Sequence, residues 1–405
     1  MSTASAWYRK VVGPFVVAAL LSTLVPARPA SAQRIDAEVE ARLTPQQAAA
    51  YREHLRARAA YDRQLDAYWD DVEEKRDGRK RRRSAGQAYS VADYVREQPP
   101  KYDGPPVPPD VARIVADLKL PEPEAERRMG VSDFLANAKA LFGFVPAAPP
   151  SEREFKRRYA AEALAAGLSK MQVVRVYALE TGGRGTYDMQ AGIDPDTRQG
   201  KPISSALGYA QLLNANSIDV LVRYGTNFME RLKAMAARSA GNAQRAAALR
   251  AKVLAVGRMQ RAARSVPGVW SHHVRYSGTP RGLGIHALNL DADIGPWLQV
   301  MKLKDVLETA VKAGRTDPSG AELELMNLAG PRTGLEMMEP IGRTMPTTNF
   351  FSRTGYYRNT IVRERTGAEL LAALDERMAV HLKKPGSLEF IDVFDEVMRE
   401  QRAGK

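Results

Sequence analysis

From Asp110 onward, apolar residues recur at spacings of three and four and never settle into strand-like alternation, which confines this part of the chain to a helical architecture. Residues 111–118, 131–141 and 151–168 each carry such a stripe, and side chains three or four apart on a helix share one face. Ser151-Glu152-Arg153-Glu154 opens the third of these with a capping signature. Residues 217–224 read as a short helix stopped by Gly225, and 227–264 as helix broken near Gly241. Residues 266–284 read as a Gly- and Pro-rich loop. Helix returns at 297–313, after the Asp317-Pro318-Ser319 cap with Glu322 at the capping-box position, and at 367–382 and 388–401. The one strand-like exception is residues 185–193 pairing with 201–204 around Asp194-Pro195-Asp196, a small β-hairpin.

Ahead of this helical stretch the composition changes. Residues 44–76 predict a charged helix or helical hairpin with a thin stripe of Leu55, Ala59, Leu65, Tyr68 and Val72. The run Arg79-Lys80-Arg81-Arg82-Arg83 reads as a solvated or disordered segment, with tethering to an acidic surface as the alternative. A short helix is expected at 89–95, followed by a stiff proline-rich linker at 98–109. The chain thus divides into a leader at 1–32, a charged helical and linker region at 33–109, and a domain at 110–401.

The leader has the form of an export signal. Arg9-Lys10 precede an apolar run at 11–25, and Ala30-Ser31-Ala32 supplies a small-residue cleavage site. The apolar run contains Pro14 and is shorter than the roughly 20 residues a membrane span needs. Cleavage after Ala32 and a periplasmic or secreted protein without a stable membrane span are the expectation. The sequence holds no cysteine, so an exported chain must be held by packing alone, and thiolate metal sites are excluded. Its formal charge of +13 suits electrostatic contact with anionic envelope polymers, and the export signal argues against nucleic acid as the partner.

The stretch with chemical content begins at Ser169-Lys170-Met171-Gln172, a capping box that starts a helix. Val173, Val176, Tyr177 and Glu180 follow on one face, and Thr181-Gly182-Gly183 ends the helix. A carboxyl at that place, partly buried and near the negative end of the helix dipole, has its pKa pushed upward, which suits a general acid. A solvated Glu at a helix end is the plain alternative. Farther on stand Ser205-Ala206-Leu207-Gly208-Tyr209-Ala210-Gln211-Leu212 and Met326-Asn327-Leu328-Ala329-Gly330-Pro331.

In this order the three motifs resemble those of the lysozyme-like lytic transglycosylases, over roughly half the chain. There a helix-ending Glu is followed by a Gly-Ala-x-Gly-Leu-Met-Gln-like loop and an Asn-Ala-Gly-like turn. The resemblance implies a mainly α, lysozyme-like α(+β) catalytic domain with the small hairpin at its cleft and, against the family's spacing, a helical insertion near 227–300. It also implies Glu180 as catalytic acid and base, with Thr181, Gly208, Tyr209, Gln211, Asn327 and Tyr356 (or its neighbour Tyr357) at the substrate. The substrate would be peptidoglycan, cleaved between N-acetylmuramic acid and N-acetylglucosamine with closure of a 1,6-anhydro ring.

Thr181 stands where the family has Ser, Tyr209-Ala210 where it has Leu-Met, Pro202 where a Ser is common, and Leu328 separates Asn327 from Ala329-Gly330. Two alternatives therefore stand beside the first reading. One is a hydrolase of the same fold, with Asp188 or Asp194 holding water; the other is an inactive wall-binding protein. Trp270 and Tyr276 either stack on sugars or anchor their loop. His272 and His273 are adjacent and do not converge on one ion, and His286 has no carboxylate at metal-site spacing, so neither metal nor cofactor is expected.

Overall fold

The computed structural model of the chain describes residues 38–117 and 128–404, and the expected leader with its cleavage point after Ala32 lies outside them. The described residues are mainly helical, with isolated antiparallel bridges instead of extended strands. None of their helices is long and apolar enough to cross a membrane.

Two compact units emerge, and they divide the chain elsewhere than its change of composition at residue 109. The smaller joins residues 38–62 to 101–117. Val39, Tyr51 and Val111 form its core, with Leu43, Leu55 and Val107 packed around them. The Tyr102 ring meets Tyr61 edge-on at 5.5 Å, and its hydroxyl donates to the Pro105 carbonyl at 2.7 Å. Tyr102 and Pro105, in the stretch expected as a linker, thus pack within this unit.

The larger unit takes residues 63–100 and 128–404. Residues 63–84 of helix Pro45–Ser84 belong to it. The helix continues through the basic run, so that segment is ordered helix; Lys80, Arg81 and Arg82 are exposed as expected, and Arg79 is not. It is 1 % exposed, pairs with Glu336 at 2.6 Å, and donates to the carbonyls of Asp93 and Asn349 at 2.8 and 2.7 Å. Arg83 holds the other Glu336 oxygen at 2.5 Å, and the Tyr94 hydroxyl donates to the first at 3.1 Å. A buried guanidinium with this many acceptors fixes the helix it sits on.

Helix Asn214–Arg238 passes straight through Gly225, expected to be its stop. A Cβ there would run into the Gln260 side chain of helix Ala243–Ala263, so this glycine serves close packing between two helices. The break between those helices does fall around Gly241. The expected loop at 266–284 is instead two helices, Trp270–Ser277 and Pro280–His286. Thr279 caps the second by accepting from the Gly282 N–H, and Pro280 occupies its first turn, where no N–H is needed. Its Gly and Pro residues thus punctuate helices. A core of Phe134, Leu207, Ile218, Phe228, Val256, Ile285 and Leu298, among others, lies beneath these elements.

Candidate active site

Local chemistry sets the Glu180 helix as its sequence implies. Ser169 Oγ accepts from the Gln172 N–H, and the Gln172 side chain accepts from the Ser169 N–H, closing the capping box of helix Lys170–Thr181. Gly182, at φ 64°, turns the chain left-handed at the other end. Val173, Val176 and Tyr177 are buried, and Glu180, one turn past Val176 and Tyr177, is half-buried. Thr181 is buried too, its hydroxyl donating to the Tyr177 carbonyl at 2.7 Å.

Helix Gly320–Ala329 brings Asn327 to this carboxyl. Ser319 and Glu322 cap it reciprocally, so that Glu324 and Asn327 project one turn apart from the same face. Asn327 Nδ2 lies 3.5 Å from Glu180 Oε1 and 3.5 Å from Glu324 Oε2. The two carboxyls thus flank one amide. Burial pushes Glu180 up to about 7, with the hydrogen bond from Glu324 acting in the opposite sense. Glu324, 2 % exposed, is pushed well above the usual carboxylate range by burial and by the neighbouring Glu180. Lys302, on helix Ile294–Lys312, is held below its ordinary pKa by burial, while Asp219, Asp305 and Glu324 draw it the other way.

The middle motif is tied to the same helices. Gly208 takes φ +78°, and a Cβ there would collide with the Gln299 amide. Gln299 Oε1 accepts from the Ala210 N–H at 3.0 Å, so this buried side chain supports the loop from below. It stands one turn before Lys302 on the same helix. Gln211, at φ 41°, spends its amide within the loop, donating to the carbonyls of Gly208 and Met189 at 2.8 and 3.2 Å. Ahead of the loop, Gln190 bridges to Leu207 and Ile193 to Gly200, while the Ile203 N–H donates to the Ala191 carbonyl at 3.0 Å. These bridges lie in the region where a hairpin was expected.

Two of the expected substrate residues sit elsewhere. Tyr209 is 1 % exposed in a cluster of rings, 4.9 Å from Tyr177, and its hydroxyl donates to Glu152 at 2.7 Å. It joins the loop to the Glu180 helix from inside the protein and offers no surface to a ligand. Tyr356 is also 1 % exposed, edge-on to Trp69 at 5.5 Å, with its hydroxyl accepting from the Glu364 N–H at 2.8 Å. Tyr357 is 37 % exposed and packs against the same Trp69 at 5.8 Å.

Both aspartates considered for a second carboxylate are engaged in turns. Asp188 accepts from Thr186 and pairs with Arg198 at 3.1 Å. Asp194 accepts from the backbone of Asp196 and Thr197 at 3.0 and 2.9 Å. Sequence reasoning missed the carboxyl that does stand beside Glu180. The available signal was Glu324 one turn before Asn327, but a Glu in a helix is so common that the spacing did not single it out.

Trp270 is 50 % exposed, whereas Tyr276 packs against the core. His286 is fully buried between the Ser217 hydroxyl at 2.8 Å and the Ser205 carbonyl at 2.7 Å, and burial pushes it down to about 4. Among the described residues, no group of three His, Cys, Asp or Glu side chains is placed to hold a metal ion. No family model, curated protein or solved structure matches the chain.

Proposed function

We propose that this chain is an exported lytic transglycosylase acting on peptidoglycan, with a lysozyme-like catalytic domain and Glu180 as its acid and base. The observation that carries the reading is Glu180 itself: half-buried at a helix end, pushed up to about 7, and hydrogen-bonded to Asn327 of the third motif. A carboxyl with that pKa holds a transferable proton near neutral pH. In the reaction, Glu180 gives its proton to the glycosidic oxygen as the bond from the muramic anomeric carbon breaks, with the substrate's N-acetyl group assisting. The resulting carboxylate then takes the proton of the muramic 6-hydroxyl as that oxygen bonds to the anomeric carbon. No water is consumed and Glu180 ends protonated.

The placement of the carboxyls favours this scheme over a two-carboxylate hydrolase. Retaining glycosidases set their carboxyls about 5–5.5 Å apart, and inverting ones farther, so that sugar and water fit between. Glu324 stands beside Glu180 at the same Asn327 amide, 3.5 Å from each carboxyl, and at 2 % exposure it is closed to a sugar or an attacking water. Asp188 and Asp194 are committed to Arg198 and to turn N–H groups. Asn327 orients Glu180, and the bridged segment beside Gly208 and Gln211 would form one wall of the cleft. Mass analysis of fragments released from purified sacculi tests the proposal. Anhydro-muramic ends, lighter by one water than reducing ends, support it; reducing ends support a muramidase instead.

A further inference from the structure

Glu324 is the group at this site that no sequence motif announced. Its carboxyl is almost wholly enclosed, yet it shares one amide neighbour with another carboxyl: Asn327 Nδ2 lies 3.5 Å from an oxygen of Glu324 and 3.5 Å from one of Glu180. Two carboxylates cannot share such a space while both are charged, because each would be desolvated beside a like charge. One of them must carry a proton.

The surrounding elements contribute little to balance a second charge. Lys302 is the cation that acts on Glu324. Four other titratable groups on or against the Glu180 helix are engaged elsewhere. Lys170 pairs with Asp395 at 2.7 Å, Arg175 with Asp375 at 2.5 Å and Lys156 with Glu389, while His381 Nδ1 lies 3.0 Å from the Ala178 carbonyl.

We propose that Glu324 is a positioning residue that stays protonated and donates its hydrogen bond to the Glu180 carboxylate, steadying the anion that forms midway through the reaction. The role rests on the transglycosylase reading of Glu180. When Glu180 has given its proton to the leaving oxygen, it is an anion in a confined site from which water is to be excluded. The Glu324 O–H then supplies a charge-assisted hydrogen bond, and Asn327 Nδ2 a second donor. The Glu324 proton itself does not move, so the proton balance of the reaction remains that of Glu180 alone.

The test separates this role from the activity. Carbon NMR of the protein carrying 13C-labelled glutamate, titrated from pH 4 to 9, follows the carboxyl signals lost in Glu324→Gln and in Glu180→Gln. A Glu324 carboxyl still protonated at pH 7 supports the proposal; one that titrates in the ordinary range overturns it. Cleavage against pH is then compared for Glu324→Gln, which keeps a neutral donor, and Glu324→Leu, which does not. With the donor gone, Glu180 holds its proton to higher pH. The alkaline limb in Glu324→Leu is therefore expected to move up by about one unit, with the maximal rate falling roughly tenfold or more, while Glu324→Gln keeps the limb in place. Limbs that coincide in both variants overturn the proposal. Absence of cleavage in the wild type, with Glu324 protonated at pH 7, would sustain the shared proton and refute the reaction.

Discussion

Asn327 Nδ2 stands 3.5 Å from Glu180 Oε1, although 147 residues separate the two in sequence. Two independently capped helices, Lys170–Thr181 and Gly320–Ala329, create the contact by presenting their final turns to each other. Asn327→Ala should leave the fold intact and remove one donor from the Glu180 carboxylate. The expected result is cleavage slowed by about tenfold through kcat, since a hydrogen bond to a charged group contributes about 1.5–3 kcal/mol. Steady-state kinetics on soluble glycan fragments check this; a rise in KM alone would assign Asn327 to uniform substrate binding.

Gly208 has positive φ and no room for a Cβ against Gln299. Gly208→Ala should cost about 1–3 kcal/mol from backbone strain, and displace the loop that Gln299 supports. Urea unfolding reads the first effect and cleavage the second. Unchanged stability with full activity would show that the loop relaxes freely.

How far the sequence reached can be judged at these positions. Capping boxes at Ser169 and Ser319, and the breaks at Gly182 and around Gly241, were legible because local chemistry decides them. Gly225 misled because its role is set by Gln260, thirty-five residues away in sequence, and no local signal distinguishes a packing glycine from a terminating one. Arg79 misled likewise: five basic residues in a row look solvated until Glu336, far along the chain, is seen to pair with the first and the last. Glu180 and Asn327 were named together from motif order. Glu324 and Lys302 were not, since their interest arises only from burial beside other charges.

Arg79→Met should destabilise the larger unit by about 3–5 kcal/mol, the cost of removing one member of a buried ion pair. The Asp93 and Asn349 carbonyls lose their donor, and Glu336 keeps only Arg83 and Tyr94. Chemical denaturation measures the change. A loss below about 1 kcal/mol would mean that the pair is worth no more than an exposed salt bridge.

Two buried groups give stability opposite dependences on pH. Glu180 is raised from 4.5 to about 7, so its contribution is fully present below the unfolded value and is lost as pH rises through about 7. His286 is lowered from 6.5 to about 4, so its contribution is present above 6.5 and is lost as pH falls through about 4. Relative to wild type, Glu180→Gln should flatten the decline in Tm on the neutral side, and His286→Asn the decline on the acid side. Parallel Tm curves for all three proteins would contradict both assignments.

The most direct test of Glu180 as the acid and base is mass spectrometry of the fragments released from purified sacculi by the wild type and by Glu180→Gln, a substitution that keeps the shape and removes the proton. The account predicts anhydro-muramic products from the wild type and a loss of about 10²–10⁴-fold in the variant, the usual worth of general acid–base catalysis, with sacculus binding retained. Cleavage by the variant within a few-fold of wild type would contradict it.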